Sequence, residues 1–225
     1  MTSTAPVLAV DGPGGAGKGT LCRLVADRLG WRLLDSGALY RLVALAAEGA
    51  GTALDDEPGL ATLARSLPAS FDGERVLLGG REVSQEIRSE SCGDRASRVA
   101  AWPAVRTALV GLQRGFKRPP GLVADGRDMG TVIFPDADLK VFLTASAEER
   151  AMRRYKQLKE KGFDVNLRDL SAEVAARDRR DAERAVAPLR PAPDAFVLDS
   201  TQLSIEKVVE AVLDLLRQRR LVPKG

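Results

Sequence analysis

Apolar residues along this chain fall into short runs that alternate with stretches of helical spacing. Val7 to Val10 reads as a strand, Lys18 to Leu29 as a helix closed by Gly30, and Trp31 to Leu34 as the next strand. A helix from about Ala38 to Gly49 or Gly51 follows. "GLVAD" (121–125) and "LKVFLTA" (139–145) read as central strands, and "AFVLDS" (195–200) as the last one. A closing helix places Ile205, Val208, Val209, Val212 and Leu216 on one face, with Ser204 as its N-cap. Arginines crowd its final turn, where the helix dipole favours them without any binding role. Five strands joined by helices predict an α/β fold, a doubly wound five-stranded parallel sheet with ligands at the carboxyl ends of its strands.

One segment breaks the alternation. In "SFDGERVLLGGREVSQEI", Gly79-Gly80 separates Val76–Leu78 from Arg81–Val83, which predicts a hairpin. Residues 60–95 are therefore expected as a small β-containing insert on a core of 1–59 and 96–225. Helix resumes over Ala104 to Phe116, with Val105, Leu109, Leu112 and Phe116 on one stripe and Pro103 in its first turn.

Composition narrows the chemistry more by absence than by content. No histidine occurs in the 225 residues, which excludes His-based triads, His-metal sites and histidine general bases. Cys22 and Cys92 form no metal-type spacing and read as reduced buried thiols. A formal charge of +3 is too even for bulk nucleic-acid binding, yet a few arginines can still converge on an acidic small substrate. Aromatic residues are 4% of the chain, so Leu, Val and Ala must fill most of the core. The N-terminal stretch lacks a basic region followed by a long apolar run, and no run approaches a membrane span, so a cytoplasmic protein is expected.

"VDGPGGAGKGT" (10–20) follows the first strand and opens the first helix, the context that makes Gly12-x-x-x-x-Gly17-Lys18 a phosphate-binding P-loop. Glycines let successive backbone N–H groups turn inward around an anion, and the helix N-terminus adds positive potential. Gly12, Pro13, Gly14, Gly15, Ala16, Gly17, Lys18, Gly19 and Thr20 are thus candidates for holding a nucleotide's phosphates, with Lys18 reaching the β- and γ-phosphates. Gly19 occupies the usual Ser/Thr slot, and the hydroxyl comes one residue later at Thr20. Thr20 and Asp125 are the candidate Mg2+ contacts, directly or through water. Asp11 suits either a structural or a Mg2+-water role, and the sequence does not choose.

No Asn-Lys-x-Asp motif exists to recognise guanine, since Asn166 is the only asparagine, so a GTPase is poorly supported. Size and weak basicity disfavour a motor or helicase. Three polar clusters suit a small-molecule kinase. "LLDSGALYR" offers Ser36, Gly37 and Arg41, and "ADGRDMGT" offers Asp125, Arg127 and Asp128 at a strand end. "RDRRDAER" sets Arg177, Asp181 and Arg184 on one helical face, a pattern that an ion-paired solvated helix shares.

With "DGPGGAGKGT", "LLDSGALYR", "GLVADGRDMGTVIFPDA" and "RAVAPL" in this order, the chain resembles the bacterial cytidylate kinases of the nucleoside monophosphate kinase group over nearly its whole length. The Gly-Lys-Gly-Thr departure is usual in that group. The resemblance implies transfer of the γ-phosphoryl of ATP to CMP or dCMP, Mg2+ as cofactor, a monomer, and no nucleic-acid or membrane partner. It implies that residues 60–95 are the nucleoside monophosphate-binding insert, with CMP held between insert and core. By similarity Arg41 and Arg127 clamp the acceptor phosphate, and Ser36 and Gly37 lie near its sugar-phosphate end. Ser97, Arg106 and Asp128 read the cytosine edge, Arg177 and Asp181 lie near the sugar, and Arg184 near the transferred phosphoryl. Residues 153–170 become a short helical lid whose Arg153 and Arg154 close over ATP. Lys18, Arg127, Arg177 and Arg184 form the implied catalytic set. The alternatives are a P-loop kinase for another acceptor, such as UMP or AMP, and a non-catalytic nucleotide- or RNA-binding module.

Overall fold

A computed structural model describes residues 5–72, 75–160 and 162–223. In chain order, β1 (Val7–Asp11), α1 (Lys18–Leu29), β2 (Arg32–Asp35), α2 (Ser36–Ala50) and α3 (Glu57–Arg65) come first. Strands β3 (Ala69–Asp72), β4 (Arg75–Leu78) and β5 (Arg81–Glu82) precede α4 (Glu90–Val99) and α5 (Pro103–Arg114). The remainder comprises β6 (Leu122–Gly126), β7 (Leu139–Thr144), α6 (Ala147–Glu160), α7 (Leu167–Ala182), β8 (Phe196–Asp199) and α8 (Ile205–Gln218). The chain divides after Leu34 and after Gly115 into two compact units.

The first unit, made from both ends of the chain, holds the sheet β2-β6-β1-β7-β8. β1 pairs in parallel with β6 and β7, and β7 with β8. Central placement explains the unbroken apolar run of β1, every residue of which is buried. Leu8 and Val10 of β1 share one core with Leu21 and Val25 of α1, Val123 of β6, Val141 of β7, and Val209 and Val212 of α8. The stripe read from the sequence of α8 is the face it buries, and Ser204 caps the helix by accepting the Lys207 N–H. α1 runs between Gly17 and Gly30, both with left-handed backbone, which is why its ends were legible.

Parallel register sets Asp11 level with Gly126 of β6 and Phe142 of β7. The segments leaving β1, β6 and β7 therefore emerge from one edge of the sheet, at the strand where the chain's winding reverses.

In the second unit α2 packs on α4 and α3 on α5, beside an antiparallel sheet β3-β4-β5. Gly79 (φ 58°) and Gly80 (φ 81°) both take the left-handed conformation that a two-residue hairpin demands. β3 adds a strand that the sequence reading lacked, pairing Ala69–Asp72 with β4. The unit extends well beyond 60–95, because packing of α2 on α4 draws in the helix that follows β2. α2 also begins earlier than Ala38: the Asp35 side chain accepts the Ala38 N–H at 3.0 Å, so Ser36 and Gly37 form the first turn.

Candidate active site

The loop after β1 is held from several sides. Gly12 has φ 148°, and a Cβ there would lie 1.9 Å from the Leu143 carbonyl oxygen of β7. Gly12→Ala is therefore expected to destabilise the protein by about 2–5 kcal/mol through strain and overpacking, read as a fall in Tm. Behind the loop, Asp11 is 4% exposed and spends both carboxylate oxygens on the backbone, accepting Met129 N–H at 2.7 Å and Gly130 N–H at 2.8 Å. Burial raises its pKa to about 6 against the pull of those two amides. These two bonds give Asp11 a structural role, tying the end of β1 to the turn after β6.

Lys18 is buried at the start of α1, donates to the Pro13 carbonyl at 3.0 Å and lies 4.0 Å from Asp125. Burial, then the Arg127 charge, lowers its pKa to about 8, with Asp125 opposing and Arg177 adding to the fall. Such an ammonium, short of solvent and beside other cations, is a site prepared for an anion.

Arg127, leaving β6, donates Nε–H to Asp181 of α7 at 2.9 Å and Nη1–H to the Gly126 carbonyl at 3.2 Å. Its Nη2 lies 3.5 Å, and the Arg177 side chain 3.6 Å, from where a Gly14 Cβ would stand. Burial pushes Asp181 up, but Arg127, Arg184 and Arg177 together hold its carboxyl below the usual range. Thus one buried carboxylate faces three arginine charges, of which Arg127 and Arg177 stand against the loop at Gly14. Asp125 Oδ2 lies 3.6 Å from a Cβ built at Gly19, so a side chain in the usual hydroxyl slot would rest against it. Thr20 is exposed on the first turn of α1, and Asp128 is buried at the head of a π-helical turn, Met129–Ile133.

The second unit carries the other predicted residues. Arg41 of α2 donates to the carbonyls of Ile87 and Ser89, at 2.6 and 3.2 Å, and lies so close to α4 that a Cβ at Gly93 would stand 3.0 Å from its Nη2. Arg106 is 5% exposed, donates to the Ala100 carbonyl and sits 5.5 Å above the Tyr40 ring. Ser36 and Ser97 are buried, and among the described residues the Ser97 hydroxyl has no hydrogen-bond partner.

The Cytidylate kinase family profile matches residues 8–218. This chain belongs to the cytidylate kinase family. It is 58% identical over 220 residues to a cytidylate kinase of Methylococcus capsulatus, covering 96% of this chain and 99% of the relative. It is 59% identical over 213 residues to one from Bordetella bronchiseptica, covering 95% and 96%. Pseudomonas syringae pv. tomato has another, 58% identical over 225 residues and covering 97% and 98%.

Within this cytidylate kinase family member, one predicted position differs from its sequence-based placement. Arg184 is not on the helical face of Arg177 and Asp181: α7 ends at Ala182, and the chain turns back through Ala187 (φ 52°) so that Leu189 N–H reaches the Asp181 carbonyl. Arg153 of α6 lies against the loop, donating to Ala16 O (3.4 Å) and Ser200 O (2.7 Å). Arg154 donates to Gln157 along its own helix. Two residues went unnoticed in the sequence, Arg150 of α6 and Asp178 of α7. Arg150 is 4% exposed and makes a two-pronged ion pair with Asp178. A buried arginine among the charges of "AEERAMRRY" leaves no trace in spacing, because its partner is supplied by another helix. Among the described residues no helix is long and apolar enough to cross a membrane.

Proposed function

We propose that this chain transfers the γ-phosphoryl group of ATP to CMP or dCMP, releasing ADP and CDP or dCDP. The observation that carries this reading is the buried Lys18 inside a glycine loop, next to the Asp181-centred group of Arg127, Arg177 and Arg184. The loop amides and Lys18 hold the donor's phosphates. Arg127 and Arg177 face the loop at Gly14 and neutralise charge on the migrating phosphoryl, with Arg184 beside them. The attacking group is an anionic phosphate oxygen, so no strong base is required, and a chain without histidine suffices.

Mg2+ fits the oxygen donors present. Magnesium keeps most of its water and takes one or two protein oxygens beside substrate phosphates. Asp125 and the Thr20 hydroxyl supply that set, and the described residues hold no cluster of three or more metal-ligating side chains that would suggest a full protein cage. When bound, the ion offsets charge on the transferring phosphates.

On the acceptor side, Arg41 and Arg127 bind the phosphate, with Ser36 and Gly37 close to its sugar end. Ser97, Arg106 and Asp128 read the base. Cytosine presents an amino donor at N4 and acceptors at N3 and O2, which suits a carboxylate and a guanidinium. Uracil would set O4 against Asp128, two acceptors opposed, at a cost of about 1–3 kcal/mol. The unpartnered Ser97 hydroxyl supports a polar ligand there.

The test is ADP release from Mg-ATP with CMP, dCMP, UMP and AMP supplied in parallel. CMP and dCMP are expected well above UMP. Equal rates would keep the kinase and remove the base-reading role of Asp128, whereas no acceptor-dependent release would leave a nucleotide-binding module.

A further inference from the structure

Four hydrogen bonds converge on a side chain to which the proposed chemistry gives no part. Arg150, in the first turns of α6, donates Nη1–H to the Gly14 carbonyl at 3.0 Å and Nε–H to the Ala145 carbonyl at 3.0 Å. Its guanidinium edge is held by both carboxylate oxygens of Asp178. The α6 backbone closes in as well: a Cβ at Gly15 (φ 80°) would stand 3.2 Å from Arg150 Cβ. One helical turn on, Arg153 donates to the Ala16 carbonyl, which also accepts the Ser200 hydroxyl at 3.3 Å.

A trans peptide points its C=O and the following N–H to opposite sides. Drawing the Gly14 oxygen outward to Arg150 therefore turns the Gly15 N–H to the other side. Holding the Ala16 oxygen does the same for Gly17. Glycine needs such restraint most, since its backbone loses more freedom on ordering than that of any other residue.

We propose that Arg150, locked by Asp178, is the positioning residue of the phosphate loop, holding the Gly14 carbonyl outward so that the Gly15 amide faces the donor's phosphates. The proposal rests on the ATP-dependent reading above. Asp178 adjoins Arg177 in the chain, so α7 contributes one residue to the reacting phosphates and the next to the geometry of the loop that holds them.

The test compares wild type with Arg150→Met and Asp178→Asn, after circular dichroism and thermal melting have shown that each is folded. Kd is measured for ATP, for inorganic tripolyphosphate and for adenosine, with KM for CMP in parallel. An amide bond to a charged oxygen is worth about tenfold to a hundredfold in affinity. Arg150→Met is expected to weaken ATP and tripolyphosphate by that factor, leaving adenosine and the KM for CMP near their wild-type values. Asp178→Asn should show a smaller loss of the same pattern. Arg150→Lys restores charge but cannot span Gly14, Ala145 and Asp178 together, so it should recover only part of the affinity.

Folded variants that bind tripolyphosphate as wild type does would overturn the proposal. So would equal weakening of all ligands, or failure of both variants to fold, since either assigns the pair to fold stability alone. If wild type itself bound neither ATP nor tripolyphosphate, the functional reading would fall first, and this assignment with it.

Discussion

Replacing Lys18 with methionine is expected to lower kcat by at least about 10²–10³-fold, while raising the melting temperature of the unliganded protein. The two effects share one cause. Lys18 is buried among Arg127 and Arg177, and its pKa has fallen from 10.5 to about 8. The folded state therefore binds that proton less tightly than the unfolded chain does. Between about pH 8 and 10.5 stability should rise with pH, and below 8 the full penalty of the charged ammonium is present. Methionine removes the penalty at neutral pH and keeps the packing. Each kcal/mol recovered moves Tm by about 2–4 °C in a domain of this size. ATP reverses the balance, because its phosphates supply the anion that the ammonium lacks. Wild-type affinity for ATP should accordingly be flat between about pH 7 and 8, where the terminal phosphate is already ionised, and weaken above 8 by at most about tenfold per unit. Calorimetric titration across this range, with melts of the free proteins, checks both arms. A methionine variant that turns over normally would dismiss Lys18 from the chemistry.

Arg127→Lys is expected to lower kcat/KM by about 10²–10³-fold with ATP affinity little changed. Arginine here divides its donors, with Nε on Asp181 and Nη1 on the Gly126 carbonyl, so that Nη2 extends toward Gly14. Lysine has one nitrogen on a flexible stem. It either satisfies Asp181, a buried carboxylate that needs a counter-charge, or reaches the phosphoryl. Since the positive charge is retained, the fold should survive, and steady-state kinetics beside a thermal melt separates geometry from charge. Wild-type rates in the lysine variant would show that charge alone matters.

How much of this was written in the sequence depends on the range of the interaction concerned. Gly17 and Gly30 bound α1 and Gly79-Gly80 turns the hairpin, all through backbone conformations that glycine adopts most readily. The central strands β1, β6 and β7 followed from apolar runs that are buried on both faces, and the mostly exposed edge strands β2 and β8 followed from shorter runs beside them. β3 was missed because the alternation in "ASFD" spans only four residues, too short to signal a strand before it pairs with β4. Arg184 was put on a helical face because the end of α7 carries no stop signal. The reversal there uses a left-handed alanine, Ala187, which no propensity announces. Arg150 and Asp178 stand 28 residues apart and meet only when α6 packs on α7. Backbone turns and buried strands carried by local spacing were legible, whereas side-chain partners supplied across helices were not.

The division of the chain after Leu34 and Gly115 sorts the residues named above by stretch of gene. The donor loop, Lys18, Arg127, Arg150, Arg177 and Asp181 all come from a unit assembled from the two ends of the chain, so no single stretch of gene encodes them. Arg41, Ser97 and Arg106 lie in one uninterrupted stretch with its own helices and hairpin. That stretch has the form of a cassette: a recombination event with two junctions can exchange it whole, altering acceptor choice while the phosphate machinery passes through untouched. Asp128, to which the proposed function gives a part in reading the base, lies outside it, and is so the position at which an exchanged cassette would need a compensating point mutation.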